Sequence, residues 1–383
     1  MFPPATGGGE TYAKELARSL AEKGHIVDVY TLSIPGENNE VDIHKNVEVI
    51  RVGTARRWMG PVETVYYGLR CRSTIDFYEY DAVHGTLMPP STISLLGCNG
   101  LDQVPLVLTS HGTSFDEVVS NDPVCIEDYI LKYIFHPTDM IMDFIAGRQA
   151  DKIVAISDHS YEVLTDIYQF NEERVTRILH GVEVERFNPK NPTHPDIDPD
   201  VKTLLYVGRL GPRKGLDLLL EAVSATEVGN FELIIAGSGR HEAHLRNRCS
   251  KLGIADRVRF LGYVPDDDLP SLYASADIFV LPSTYEGFGL VLLEAMSSGT
   301  PVIATKVGGI PSVVENDKTG FLIPRDSDAL KQKIEYMLRN DNIRQDMAKR
   351  ARSYAESTSW SEIAGEIERL YKDINQNKYE YES

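Results

Sequence analysis

The feature that most limits how this chain can fold is its rhythm. Short apolar runs alternate with helical segments in two successive cycles. In the first half the runs 25–31, 46–52, 106–110 and 152–156 read as buried strands, and 10–23 reads as an amphipathic helix ended by Gly24. In the second half the runs are 203–207, 231–236, 257–261, 277–281 and 301–305. Continuous apolar runs separated by helices are the pattern of parallel sheets covered on both faces. Two such series predict two Rossmann-like α/β domains. The proline-rich stretch 187–199 sustains neither helix nor central strand, so it is the predicted boundary. The expected domains are 1–186 and 187–357, followed by a C-terminal helix over 358–383 with Trp360, Ile363, Ile367 and Leu370 on one face.

Composition narrows the function without naming it. Apolar residues make up 42% and charged residues 25% of the 383, ordinary for a globular protein that buries a sizeable core. Lys and Arg number 39 against 57 Asp and Glu, a net charge of −18 that argues against general nucleic-acid binding. Cys71, Cys98, Cys125 and Cys249 are far apart with no metal-ligand spacing, which fits a reducing cytosol. No apolar run reaches the roughly 18 residues of a spanning helix, and no secretory signal precedes the first motif. Against the acidic background, Arg56, Arg57, Trp58 and Met59, then Tyr66, Tyr67, Arg70 and Arg72, combine basic and aromatic side chains. Such a stretch suits a peripheral membrane contact or an anionic acceptor, and equally a solvated loop.

The chemistry concentrates late in the chain. Glu286 and Glu294 bracket Gly287, Phe288, Gly289 and Leu290, directly after the apolar run 277–281 and Pro282-Ser283. A strand therefore feeds a glycine-rich turn and a helix opening near Gly289. Free N–H groups at a helix start bind phosphate, and the helix dipole favours negative charge there. The two carboxylates can then reach sugar hydroxyls on either side. Taken alone, the segment also reads as a strand–turn–helix with one loop acid and one exposed helical acid. Upstream, a strand ending at Gly208 leads into a loop carrying Arg209, Arg213 and Lys214. A planar guanidinium and a compact ammonium are suited to a diphosphate, at the place where open α/β sheets deliver ligand-binding loops.

Four motifs occur in order: Gly7-Gly8-Gly9-Glu10, Ser110-His111-Gly112, Gly208-Arg209 with Lys214-Gly215, and Glu286 with Glu294. With them, nearly the whole chain resembles the retaining glycosyltransferases of family 4. The resemblance implies the GT-B fold, two Rossmann-like domains facing across a cleft. It also implies transfer of a sugar from a nucleotide diphosphate sugar, with retention at the anomeric carbon. Arg209 and Lys214 would hold the diphosphate, Glu294 the ribose and Glu286 the donor sugar. The amides of Gly287, Phe288, Gly289 and Leu290 would complete the sugar and phosphate contacts. His111 would approach the donor sugar from the other domain, with Gly7, Gly8 and Gly9 against the phosphates. No metal or other cofactor is expected, because basic residues and helix dipoles neutralise the leaving diphosphate. The donor is expected to be a UDP-sugar, and the acceptor a glycan, a lipid-linked intermediate or a small molecule. The expected location is cytoplasmic, with peripheral membrane contact through Arg56 to Arg72. Two alternatives are a nucleotide-sugar-binding protein without turnover and a sugar phosphorylase of similar fold.

The first domain departs from that pattern. Its sheet should begin with a central strand ahead of the glycine loop, yet Met1-Phe2-Pro3-Pro4 leads almost directly into Gly7. The first domain is therefore expected to lack its first strand, the chain being shortened at its start by roughly 15 residues on usual strand and loop lengths. A lesser departure is His180 before Gly181, where the family often has Asn. Asp266, Asp267 and Asp268 read as a cap and dipole feature for a helix starting near Leu269. His241 and His244 share a helix face without a third ligand suggested, so they read as solvated. Gly237-Ser238-Gly239 lacks the third glycine of a dinucleotide fingerprint and reads as a tight turn, as does Gly308-Gly309.

Overall fold

The computed structural model describes residues 2, 7–55, 60–86, 100–120, 129, 132–133 and 136–380. They form two compact units, Met1–His180 with Trp360–Ser383, and Gly181–Ser359. In the first, a helix Gly8–Glu22 precedes β1 (Val27–Ser33) and β2 (Val47–Thr54), which pair in parallel with Val27 opposite Val47. A four-stranded parallel sheet follows in the order β3 (Val83–Gly85), β4 (Leu106–Ser110), β5 (Lys152–Ala155), β6 (Val175–Arg177). Among the described residues no strand joins the pair to the four. The break falls where the sequence predicts a missing central strand, so β1 and β3 each keep an edge with no strand beside it among the described residues.

The core of this unit is divided in the same way. Leu106, Leu108, Ile153, Ala155 and Leu164 form one cluster, and Leu32, Val52, Ala55 and Cys71 another, with Ile75 packed against both. Polar links reach back to β1: Tyr80 donates to Asp28 Oδ2 at 2.6 Å and its hydroxyl lies 2.8 Å from that of Tyr30. The helix Trp360–Glu380 belongs to this unit, with Trp360, Ile363, Ile367 and Leu370 buried. Of the basic and aromatic stretch, Arg56, Arg57, Trp58 and Met59 lie outside the described residues. Of the rest, Tyr67 donates to the Tyr30 carbonyl at 2.8 Å and Arg70 Nε to the Val52 carbonyl at 2.7 Å, while Arg70 and Arg72 are exposed. Among the described residues no helix is long and apolar enough to cross a membrane.

The second unit has one continuous parallel sheet. Its strands are β7 (Lys202–Val207), β8 (Phe231–Ala236), β9 (Val258–Gly262), β10 (Ile278–Leu281), β11 (Val302–Thr305) and β12 (Gly320–Ile323), in the order β12-β11-β10-β7-β8-β9. Leu204, Leu205, Ile234, Ile235, Phe279 and Val280 are fully buried, which is why these strands read as unbroken apolar runs. The chain builds outward from β7 in both directions, so the order reverses between β7 and β10. In an open α/β sheet that reversal opens a crevice at the carboxyl ends of the strands. The stretch 187–199 lies within this unit, with Phe187, His194 and Ile197 buried. Asp268 stands before the helix Leu269–Ser275 as predicted, but its side chain makes no capping bond. Its contribution is therefore limited to charge near the helix start. The three strands the sequence did not reveal, β3, β6 and β12, are all at sheet edges; β3 and β6 are three residues long and interrupted by His84, Thr176 and Arg177, and β12 is a mostly buried Gly-Phe-Leu-Ile run only four residues long.

Candidate active site

At the reversal point, the loop after β7 and the loop after β10 are locked together. Thr284 N–H donates to the Arg213 carbonyl at 2.8 Å, and its hydroxyl does so at 3.1 Å. Between them Gly215 has φ +67, and a Cβ there would stand 1.9 Å from the Pro282 carbonyl oxygen. Only glycine permits both the left-handed backbone and the close approach. This brings Lys214 Nζ to 2.6 Å from Glu286 Oε1, an oxygen that also accepts from the Ser283 hydroxyl at 2.7 Å. Both charged side chains are mostly covered, 23% exposed for Lys214 and 13% for Glu286. A pair so screened from water interacts more strongly than a surface ion pair.

Glu286 is fixed from its backbone as well. Its carbonyl accepts from Gly309 N–H at 2.8 Å, and a Cβ on Gly308 (φ +49) would meet that carbonyl oxygen at 2.2 Å. The Gly308-Gly309 turn is thus a brace under Glu286. Beyond it the chain runs through Gly287 and Phe288 to Gly289, whose φ of +94 starts the helix Leu290–Ser297. Phe288 is buried, which anchors the turn so that the amides around it hold their positions. Arg209 is exposed just past the end of β7, and Arg213 lies over the Tyr285 ring at 6.0 Å. Glu294 sits inside the helix and accepts from the Tyr273 hydroxyl at 2.8 Å. Burial pushes its carboxyl up to about 7, although Tyr273 and Arg186 oppose the shift. It therefore titrates near neutrality, as an acceptor for hydroxyl groups above that pH and a donor below it.

In the first unit, His111 leaves the end of β4 in a loop held by two acids. Asp116 Oδ2 accepts from the Thr113 hydroxyl at 2.8 Å, and Asp143 Oδ2 from Ser114 N–H at 3.0 Å. His111 Nδ1 lies 3.1 Å from His180 Nε2, and the Tyr12 ring meets His111 edge-on at 4.6 Å. Trp360 stacks on His180 at 6.2 Å. The Tyr12 and Thr109 hydroxyls lie 3.1 Å apart, and His84 bridges Thr109 (2.7 Å) to Tyr371 (2.6 Å). Burial pushes His111 down to about 3, with neighbouring His84 adding to the effect, and burial alone pushes His84 down to about 4. His180 is held well below its ordinary value by burial and His111. All three rings are neutral at pH 7. His111 Nε2 is buried without a partner in good hydrogen-bond geometry among the described residues, and the Thr86 backbone is the polar group that opposes the downward shift of the ring.

Each unit therefore gathers its own predicted residues. Lys214 and Glu286 meet directly, Arg209 and the 287–290 turn lie on the flanking loops, and Glu294 is one turn deeper. Gly7 precedes the helix Gly8–Glu22, with Gly8 and Gly9 in its first turn. The sequence did not single out Ser283, Tyr273, Tyr12, His84 or Tyr371. Tyr273, Tyr12, His84 and Tyr371 act through partners distant in the chain, whereas Ser283 bonds Glu286 three residues on and carried a local signal, as the polar residue closing a buried strand.

Comparison with known proteins agrees over both units. Residues 6–186 match the family described as Glycosyltransferase Family 4, and residues 188–354 match Glycosyl transferases group 1. D-inositol 3-phosphate glycosyltransferase 2 of Catenulispora acidiphila is 31% identical over 84% of this chain and 80% of that protein. The structure of sucrose-phosphate synthase from Thermosynechococcus elongatus superposes with a TM-score of 0.84, at 23% identity, covering 96% of this chain and 94% of that one. Anabaena HepE in complex with UDP-glucose gives a TM-score of 0.72 at 20% identity, over 96% and 97% of the two chains.

Proposed function

This chain belongs to the family 4 glycosyltransferases, and we propose that it moves a sugar from a UDP-sugar to an acceptor with retention at the anomeric carbon. The observation that carries the reading is the Lys214–Glu286–Ser283 constellation at the reversal point of the second sheet. A lysine beside the diphosphate and a carboxylate beside the sugar are what a nucleotide-sugar donor needs, and here a single 2.6 Å contact fixes their spacing. The UDP-glucose bound by the similar HepE structure supports a uridine donor.

In this reading Arg209 and Lys214 grip the diphosphate, and the amides of Gly287 to Leu290 add the positive end of the helix. As the bond to the sugar breaks, negative charge grows on the leaving phosphate. Donors already fixed in place stabilise it without reorganisation, usually the largest share of catalysis. Transfer by this route asks for no metal. Glu286 orients the sugar and Glu294 the ribose, and a neutral His111 serves the donor sugar. Gly7, Gly8 and Gly9 let the backbone approach the phosphates. The acceptor attacks from the face the diphosphate leaves and passes its proton to a phosphate oxygen of the donor.

The test is calorimetry with UDP, GDP and ADP, followed by UDP-sugars and NMR of the product anomer. Lys214→Ala should weaken UDP binding about tenfold or more, as loss of a charge-assisted bond worth roughly 1.5–3 kcal/mol. Glu286→Ala should leave UDP affinity within about threefold while transfer falls by about two orders of magnitude. Tight UDP binding with no transfer to any acceptor and no donor hydrolysis would favour a binding protein without turnover.

A further inference from the structure

The start of the helix Leu216–Ala225 and the start of the helix Glu242–Leu252 follow neighbouring strands β7 and β8. Where they pack, His241 and His244 turn their Nε2 atoms onto one carboxylate. Asp217 Oδ2 accepts from His241 at 2.9 Å, and Oδ1 from His244 at 2.7 Å. The two imidazoles stack at 4.3 Å, and the three donor atoms all lie within 4.8 Å of one another. The next turn of the same helix pair is an ordinary ion pair, Glu221 with Arg248. Only the first turn has two aromatic nitrogens converging on an acid.

We propose that Asp217, His241 and His244 form a binding site for a divalent transition metal of the zinc class, clipping the two helices together three residues beyond Lys214. Imidazole and carboxylate are the ligand set zinc prefers, and three protein ligands leave a fourth position for water. Ligand atoms 2.0–2.2 Å from a tetrahedral ion stand roughly 3.3 Å apart, so the two nitrogen-to-carboxylate contacts of 2.9 and 2.7 Å lie within about half an ångström of that spacing, and small side-chain rotations would seat the ion. The ion takes the place of the two Nε2 protons, so each imidazole binds as the neutral tautomer with its single proton on Nδ1. His244 is 53% exposed, which gives the ion a path from solvent, and the net charge of −18 favours any cation. Such a clip would brace the 209–215 loop from behind. It is independent of the transfer reading, since its test measures binding alone.

The full-length chain, stripped with chelator, is titrated with Zn²⁺ by calorimetry and with Co²⁺ by visible absorption. One equivalent of zinc should bind, with four-coordinate d–d bands for cobalt and a rise in Tm. Asp217→Asn and His244→Ala should each weaken zinc binding at least tenfold and abolish the rise. Magnesium should not compete. No zinc binding, unchanged affinity in both variants, or equal competition by magnesium would each overturn the assignment.

Discussion

The two units solve the same architectural problem to different degrees. The second closes a continuous six-stranded sheet, and its reversal point places Lys214 and Glu286 in contact. Among the described residues the first has its strands in two separate sheets, and its candidate residue His111 depends on a buried network of histidines, Tyr12 and Trp360. An unbroken parallel sheet positions loops through its own hydrogen bonds. A divided one must position them through side chains, whose geometry depends on burial and protonation.

The contrast breaks most visibly at glycine. Gly215→Ala should cost at least about 2 kcal/mol of stability and most nucleotide affinity, because the methyl group has no room against the Pro282 carbonyl. Gly7→Ala should cost less than about 1 kcal/mol, since φ 166 is extended backbone that any residue adopts. Urea unfolding of the two variants measures both. Equal losses would mean that the second site is not held by loop-on-loop packing.

The units should also respond to pH with opposite sign. His84 and His111 have folded values near 4 and 3, below an ordinary 6.5. The unfolded chain then binds more protons between about 4 and 6.5, so the first unit loses stability as pH falls through that window. Glu294 has a folded value near 7, above an ordinary 4.5. The folded second unit binds the extra proton between those values, so this residue's contribution to stability falls as pH rises from 4.5 to 7. Calorimetric scans from pH 5 to pH 8 should show the first unit's transition gaining relative to the second, and Glu294→Gln should flatten the latter. Parallel slopes would refute the assignment of buried neutral histidines.

The smallest effect concerns helix caps. Asp326 accepts from Ala329 N–H at 2.8 Å, so Asp326→Ala should cost about 1 kcal/mol. Asp268→Ala should change stability by less than about 0.5 kcal/mol, as its side chain caps nothing. Thermal unfolding distinguishes the two.

What could be read beforehand followed the range of the interactions. The central strands of the second sheet were legible because burial on both faces demands unbroken apolar runs. The turn at Gly289 and the helix after it were legible because the glycine and the apolar run that follows are contiguous. His241 and His244 read as solvated because their third partner, Asp217, lies 24 residues from His241.

The sequence by itself determined the two α/β cycles, the loops that carry chemistry and the family. These follow from backbone conformation and burial, which neighbouring residues settle among themselves. The tertiary structure decided which of those loops meet. Lys214 and Glu286 are 72 residues apart, His111 and His180 are 69 apart, and Tyr12 and Thr109 are 97 apart. Strand order in a sheet brings such groups together, and strand order is fixed by the packing of the whole unit.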